Sequence, residues 1–297
     1  NDADLLARSK DGKPELVTAQ WNDDIHHVLH IAATGETFGY YGDYTDKPDN
    51  LGKALAEGFV FQGEHMAYRG EVRGKPSRQL PPTAFISFIQ NHDQIGNRAK
   101  GDRMVASQPA APLKAITAIY LLSPQIPMLF MGEEWGAREP FPYFCDFNDE
   151  LNQLVREGRR KELARLPGFD EEDALDPTSP ETFRSAKLDW NQAKTPEGSA
   201  SLDFYRGLIE TRRAKVMPLI PGIRGESSRH RRDGQAIFVE WQAGDGAVLT
   251  LRANLSADWH DGTVAALPGD PIFSIGETEG GRLGPWHVAF ALQPQKG

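Results

Sequence analysis

Apolar runs in this chain alternate with polar clusters and with stretches of helical period. The clearest run is Ala84-Phe85-Ile86-Ser87-Phe88-Ile89. It is apolar on both faces, which predicts a strand buried on two sides. It breaks into Gln90-Asn91-His92-Asp93-Gln94. Residues 15–21 predict an earlier strand that ends in Asn22-Asp23-Asp24, and residues 126–131 a later one that ends in Gly132-Glu133-Glu134-Trp135-Gly136. After the earlier strand, Ile25, Val28, Leu29 and Ala32 fall at helical spacing, with Asp23 or Asp24 as cap and Gly35 as stop. Residues 51–58 and 112–122 predict two more helices, the second with Pro112 in its first turn.

The remaining segments are less regular. Residues 35–50 and 69–82 read as loops, and 137–150 as an aromatic, Pro-rich loop. Residues 151–166 predict a charged surface helix whose arginines face solvent. Residues 168–198 form an acidic excursion, and 202–213 are amphipathic. Beyond Pro218 the texture changes to short strand-like runs at 236–241, 247–251, 272–275 and 286–292 between Gly-rich turns, the pattern of a small antiparallel sheet. A boundary near 216–222 divides the chain into 1–216 and 217–297.

Strand–helix alternation implies a parallel sheet, and functional side chains gather at the carboxyl ends of such strands. Three strands each followed by a polar cluster therefore predict one shared cleft. Two architectures fit: a small open α/β sheet, or the end of a (β/α)8 barrel, which needs eight such units.

Composition narrows the chemistry. The 297 residues carry a net charge of −9, which argues against general nucleic-acid binding. No apolar run approaches the ~18 residues of a membrane span. Cys145 is the single cysteine, which rules out an internal disulfide framework and suits a reducing, cytoplasmic setting. The three clusters are rich in carboxylates, amides, histidines and aromatic rings. Such groups hydrogen-bond sugar hydroxyls and cover the apolar face of a pyranose. A carboxylate also stabilises a developing oxocarbenium ion, and glycoside hydrolysis needs a pair of carboxyl groups. Asp23, Asp24, Asp93, Glu133 and Glu134 are the candidates. His26, His27 and His30 put two imidazoles one helical turn apart, like a zinc helix, but His27 occupies the place of the general-base Glu. No Gly-rich phosphate loop and no G-x-S-x-G elbow occurs. No metal and no cofactor is expected.

FISFIQNHDQIGN, residues 85–97, resembles the α-amylase family's region at the end of barrel strand seven. WNDDIHH (21–27) and FMGEEWG (130–136) resemble, within that family, the maltooligosyltrehalose trehalohydrolases. The resemblance implies the C-terminal portion of a (β/α)8 barrel over residues 1–216, strands six to eight, followed by a small antiparallel β-sandwich domain over 217–297. It implies that Asp93 is the transition-state-stabilising carboxylate and that His92 bonds the sugar. It places Asn91, Gln94, Trp21, Asp23, Asp24, His26, Glu134 and Trp135 along the substrate. The partner implied is maltooligosyl trehalose, an α-1,4-glucan oligosaccharide, hydrolysed next to its terminal trehalose with retention. A glucan branching enzyme and a non-catalytic carbohydrate-binding fragment are the alternatives. The family's nucleophile and acid/base residues precede the W-N-D-D motif. The chain, which begins at Asn1, is therefore expected to lack both and to be inactive alone.

Overall fold

The computed structural model describes residues 1–45, 49–164 and 175–295. Parts of the expected 35–50 loop, the end of the 151–166 helix and the start of the 168–198 excursion lie outside the described residues. Two compact units are present. The first gathers Asn1–Ile89, Ala110–Met128 and the chain from Arg206 onward; the second is Gln90–Pro109 with Leu129–Tyr205.

Three short parallel strands stand in the first unit: β1 (Gln20–Trp21), β2 (Phe85–Ser87) and β3 (Ile126–Pro127), in that spatial order. Gln20 lies opposite Phe85, and Ile86 opposite Ile126. The strands are shorter than their apolar runs. At residues 15–21 the cause is local: the Arg8 guanidinium donates to the carbonyls of Val17 and Thr18. Leu16 is left 73% exposed.

In chain order the helices that matter are α1 (Asp23–Thr34), α2 (Asn50–Glu57), α3 (His92–Gly96), α4 (Ala110–Leu122), α5 (Asp149–Leu163) and α6 (Pro196–Thr211). Asn22, not Asp23 or Asp24, caps α1, accepting from the Ile25 amide, and Gly35 stops the helix at φ 71°. α4 is apolar nearly all round, and every residue from Ala115 to Leu122 is buried, as a helix without a polar face requires. After α6 the chain makes a π-turn at Arg212–Val216. There the buried Arg212 guanidinium donates to the carbonyls of Leu121, Ser123 and Gln125, satisfying the C-terminal end of α4.

Beyond it lies a five-stranded antiparallel sheet of β4 (Ile223–Asp233), β5 (Ala236–Ala243), β6 (Val248–Asn254), β7 (Asp270–Ile275) and β8 (His287–Gln293), ordered β4-β5-β6-β8-β7. Its four apolar strands match the sequence pattern; β4 was not expected. Trp241 and Phe290 stack at 6.5 Å within its buried face, and the Trp241 indole donates to the Leu55 carbonyl of α2 at 3.1 Å. This sheet therefore packs as part of the first unit.

Candidate functional site

In the first unit the candidate residues lie at the end of β1 and on α1. Trp21 is 41% exposed and meets Phe88 edge-on at 6.0 Å. Asn22 is buried because it serves two purposes: its Oδ1 caps α1 and its Nδ2 donates to the Gly58 carbonyl at 2.7 Å. Asp23 and Asp24 occupy the first turn of α1, where carboxylates suit the helix dipole. Asp23 is half-buried; Asp24 is fully buried. Both oxygens of Asp24 are occupied. One accepts from Asn1 Nδ2 at 2.6 Å and from the amides of Val60 and Phe61 at 2.8 and 3.1 Å. The other accepts from the Tyr44 hydroxyl at 2.6 Å and lies 3.5 Å from Arg73 Nη2. Burial first, then the Asp24 carboxylate, push the Tyr44 phenol well above its ordinary range.

The three histidines of α1 bond three different partners, while their rings pack together around Tyr41. His26 is buried with Nδ1 2.8 Å from the Ile89 carbonyl. His27 bonds the Asp23 carbonyl and stacks on Tyr44 at 4.6 Å. His30 meets Glu36 at 2.8 Å. Among the described residues no group of three or more His, Cys, Asp or Glu is arranged to hold a metal.

In the second unit the candidates lie on α3 and on the turn that follows residue 131. Asn91 caps α3, its Oδ1 accepting from the Asp93 and Gln94 amides at 2.8 and 3.3 Å. Asn91 is buried, and its Oδ1 is spent on the backbone. His92 and Asp93 are thereby turned outward, with side chains 53% and 66% exposed and His92 Nε2 3.4 Å from Asp93 Oδ1. Gln94 is half-buried behind them. Together these groups put a carboxylate and an imidazole side by side at the surface.

Glu134 and Trp135 sit on a 3-10 turn, Glu133–Trp135, between Gly132 and Gly136, both left-handed. Glu134 is half-buried. Trp135 is buried against Trp190, whose ring lies 4.9 Å away. Glu133 is also buried and accepts from the Tyr205 hydroxyl at 3.1 Å.

Two arginines that the sequence did not single out hold these pieces. Arg103 is buried and donates to the carbonyls of Glu139 and Met131 at 2.7 and 2.8 Å, bracketing the turn; burial lowers its pKa. Arg159 of α5 reaches the end of α3. The expectation that the arginines of this helix are solvated is corrected for Arg159, which is 8% exposed. A signal existed: Val155, Arg159 and Leu163 recur every four residues on the one inward face.

Residues 224–290 match a family described as a domain of unknown function, DUF3459. The chain is 37% identical over 254 residues to malto-oligosyltrehalose trehalohydrolase of Deinococcus radiodurans, covering 83% of this chain and 42% of that protein. It is 42% identical over 223 residues to the enzyme of the same name from Rhizobium sp. strain M-11, covering 71% and 37%. A crystal structure from Salmonella typhimurium, assigned as an alpha amylase, superposes with a TM-score of 0.91 at 42% identity, covering 99% of this chain and 50% of that one. The chain thus spans about two fifths of the length of the curated relatives it matches.

Proposed function

We propose, from the premise that this chain is a homologue of the malto-oligosyltrehalose trehalohydrolases and so of glycoside hydrolases, that it forms part of an enzyme cutting the α-1,4 bond next to the terminal trehalose of maltooligosyl trehalose. The observation that carries this reading is the identity to those trehalohydrolases, which spans most of the chain.

In this reading residues 1–216 are strands six to eight of a (β/α)8 barrel with their helices, and residues 217–297 a β-sandwich domain. The sequential order β1-β2-β3 of the parallel strands supports the barrel. Asp93 is the transition-state stabiliser. Its exposed carboxylate holds sugar hydroxyls and, as positive charge grows at the anomeric carbon, attracts it. His92 bonds the same sugar. Asn91 fixes the turn that aims them, and Gln94 backs them. Trp21 offers an exposed ring face to a pyranose, beside the Asp23 carboxylate. Asp24 and His26 are buried and bonded; their part is to hold the start of α1 in place. Glu134 and Trp135 shape the turn after β3.

Retention of configuration requires a nucleophile and an acid/base, which the resemblance assigns to sequence ahead of Trp21. The chain spans about two fifths of those relatives, and by itself it is expected not to turn over. The test is trehalose release from maltooligosyl trehalose. The complete protein containing this segment releases trehalose, and Asp93→Asn in it lowers kcat by about a hundredfold or more. Clear turnover by the isolated chain, or full activity of Asp93→Asn, overturns the assignment.

A further inference from the structure

The helix that presents His92 and Asp93 has five residues, too few to sustain itself: helices much shorter than about twelve residues are marginal in water. Its geometry must come from what grips its two ends. Asn91 grips the first. At the other end the last carbonyls of the turn need donors. The Gly101 amide donates to Arg98 O at 3.2 Å, and Arg159 supplies the rest: its Nη2 donates to Gly96 O at 2.6 Å and also to Arg98 O at 3.2 Å. Its Nη1 is held in turn by Glu162 at 2.8 Å, and its guanidinium lies over the Tyr143 ring at 5.8 Å. The positive charge at the carboxyl end of a helix is also favourable to the helix dipole. α5 is a fifteen-residue helix, so a rigid element is tied through one side chain to the short turn that carries the exposed carboxylate.

We propose that Arg159 is a positioning residue for the hydrolysis. It does not touch sugar; it sets the angle at which α3 presents Asp93 and His92. The proposal rests on the role of Asp93 given above. The planar fork bonds two carbonyls at once while keeping its contact with Glu162, which a lysine ammonium does less well.

The test uses the complete protein containing this segment, with maltooligosyl trehalose as substrate. Arg159→Gln and Arg159→Lys are compared with Arg156→Gln, a change on the same helix at an exposed arginine whose partner is Asp176. After correction for folded fraction, Arg159→Gln lowers kcat ten- to a hundredfold, on the order expected for misplacing a reacting group by about 1 Å. KM stays within about threefold, Arg159→Lys recovers part of the loss, and Arg156→Gln stays within about twofold of the parent. In parallel, amide exchange is followed in this chain. The Asn97 amide, which donates to Asp93 O at 2.9 Å, exchanges faster in Arg159→Gln while the amides of α5 do not.

Three results overturn the proposal: kcat unchanged in folded Arg159→Gln, kcat lowered with Asn97 exchange unaltered, or both Arg159 variants failing to fold. Absence of trehalose release by the parent protein would instead sink the functional reading, and the exchange measurement would still decide whether Arg159 braces α3.

Discussion

His27 shows how far one side chain can be read. Its ring lies flat on Tyr44 and bonds the Asp23 carbonyl. Burial is the main reason that its pKa is pulled from 6.5 down to about 4. The folded protein keeps this ring neutral, whereas the unfolded chain takes up its proton near pH 6.5. The stability it contributes is complete above that pH and is lost as pH falls towards about 4. The amount is on the order of 3 kcal/mol. The melting temperature should therefore drop between pH 6.5 and 4, and His27→Phe, which keeps a stacking ring, should flatten that drop. Parallel acid limbs in the two proteins would remove His27 as the cause. The sequence made the helix legible, because the apolar period and Gly35 fix it. It could not tell which way His26, His27 and His30 turn, since that depends on Ile89, Tyr44 and Glu36, contacts made only after folding. For the same reason Asp23 and Asp24, identical in the sequence, part company: one half-buried, the other enclosed by donors from four distant places.

At the scale of elements the instructive case is β4. Its residues, IRGESSRHRRD, carry no apolar alternation, so nothing in the sequence marked a strand. It forms because it pairs with β5 at the edge of the sheet, where charged side chains are tolerated and discourage further pairing. Among its charged residues His230 is half-buried. His230 Nδ1 lies 2.9 Å from Asp49 Oδ2, just ahead of α2, and its Nε2 lies 3.8 Å from Glu57 Oε1, the last residue of that helix. Gly52 makes the approach possible; a Cβ there would sit 2.9 Å from His230 Nδ1. The Glu57 carboxylate, aided by Asp49 and opposed by burial, raises the pKa of His230, and His230 in turn lowers that of Glu57. For His230 the stabilisation is complete below about pH 6.5 and is lost as pH rises through its raised value. For Glu57 it is present above about pH 4.5 and is lost as pH falls through its lowered value. The tie between β4 and α2 is thus strongest between those limits. His230→Gln should lower the melting temperature at pH 6 and matter little at pH 9. An equal loss at both would show that charge is not what joins the two elements.

For the molecule as a whole, local pattern conveyed the alternation of strand and helix and the four apolar strands of the second sheet. It did not convey that the first unit is assembled from three separated stretches of chain, because such assembly leaves no period in the sequence. The two outer strands of the parallel sheet, β1 and β3, each have one neighbour among the described strands, and Trp21, the last residue of β1, is 41% exposed. Open edges beside exposed apolar groups favour association. Sedimentation velocity should therefore show the chain self-associating as its concentration rises; a single monomeric boundary at every concentration would contradict this. Asp24 carries a different implication. One carboxylate fastens the first residue of the chain, the ring of Tyr44 and the backbone at Val60 and Phe61. None of these can loosen without stripping donors from a charge sealed away from water, so they should come undone together, as strings do from a single knot.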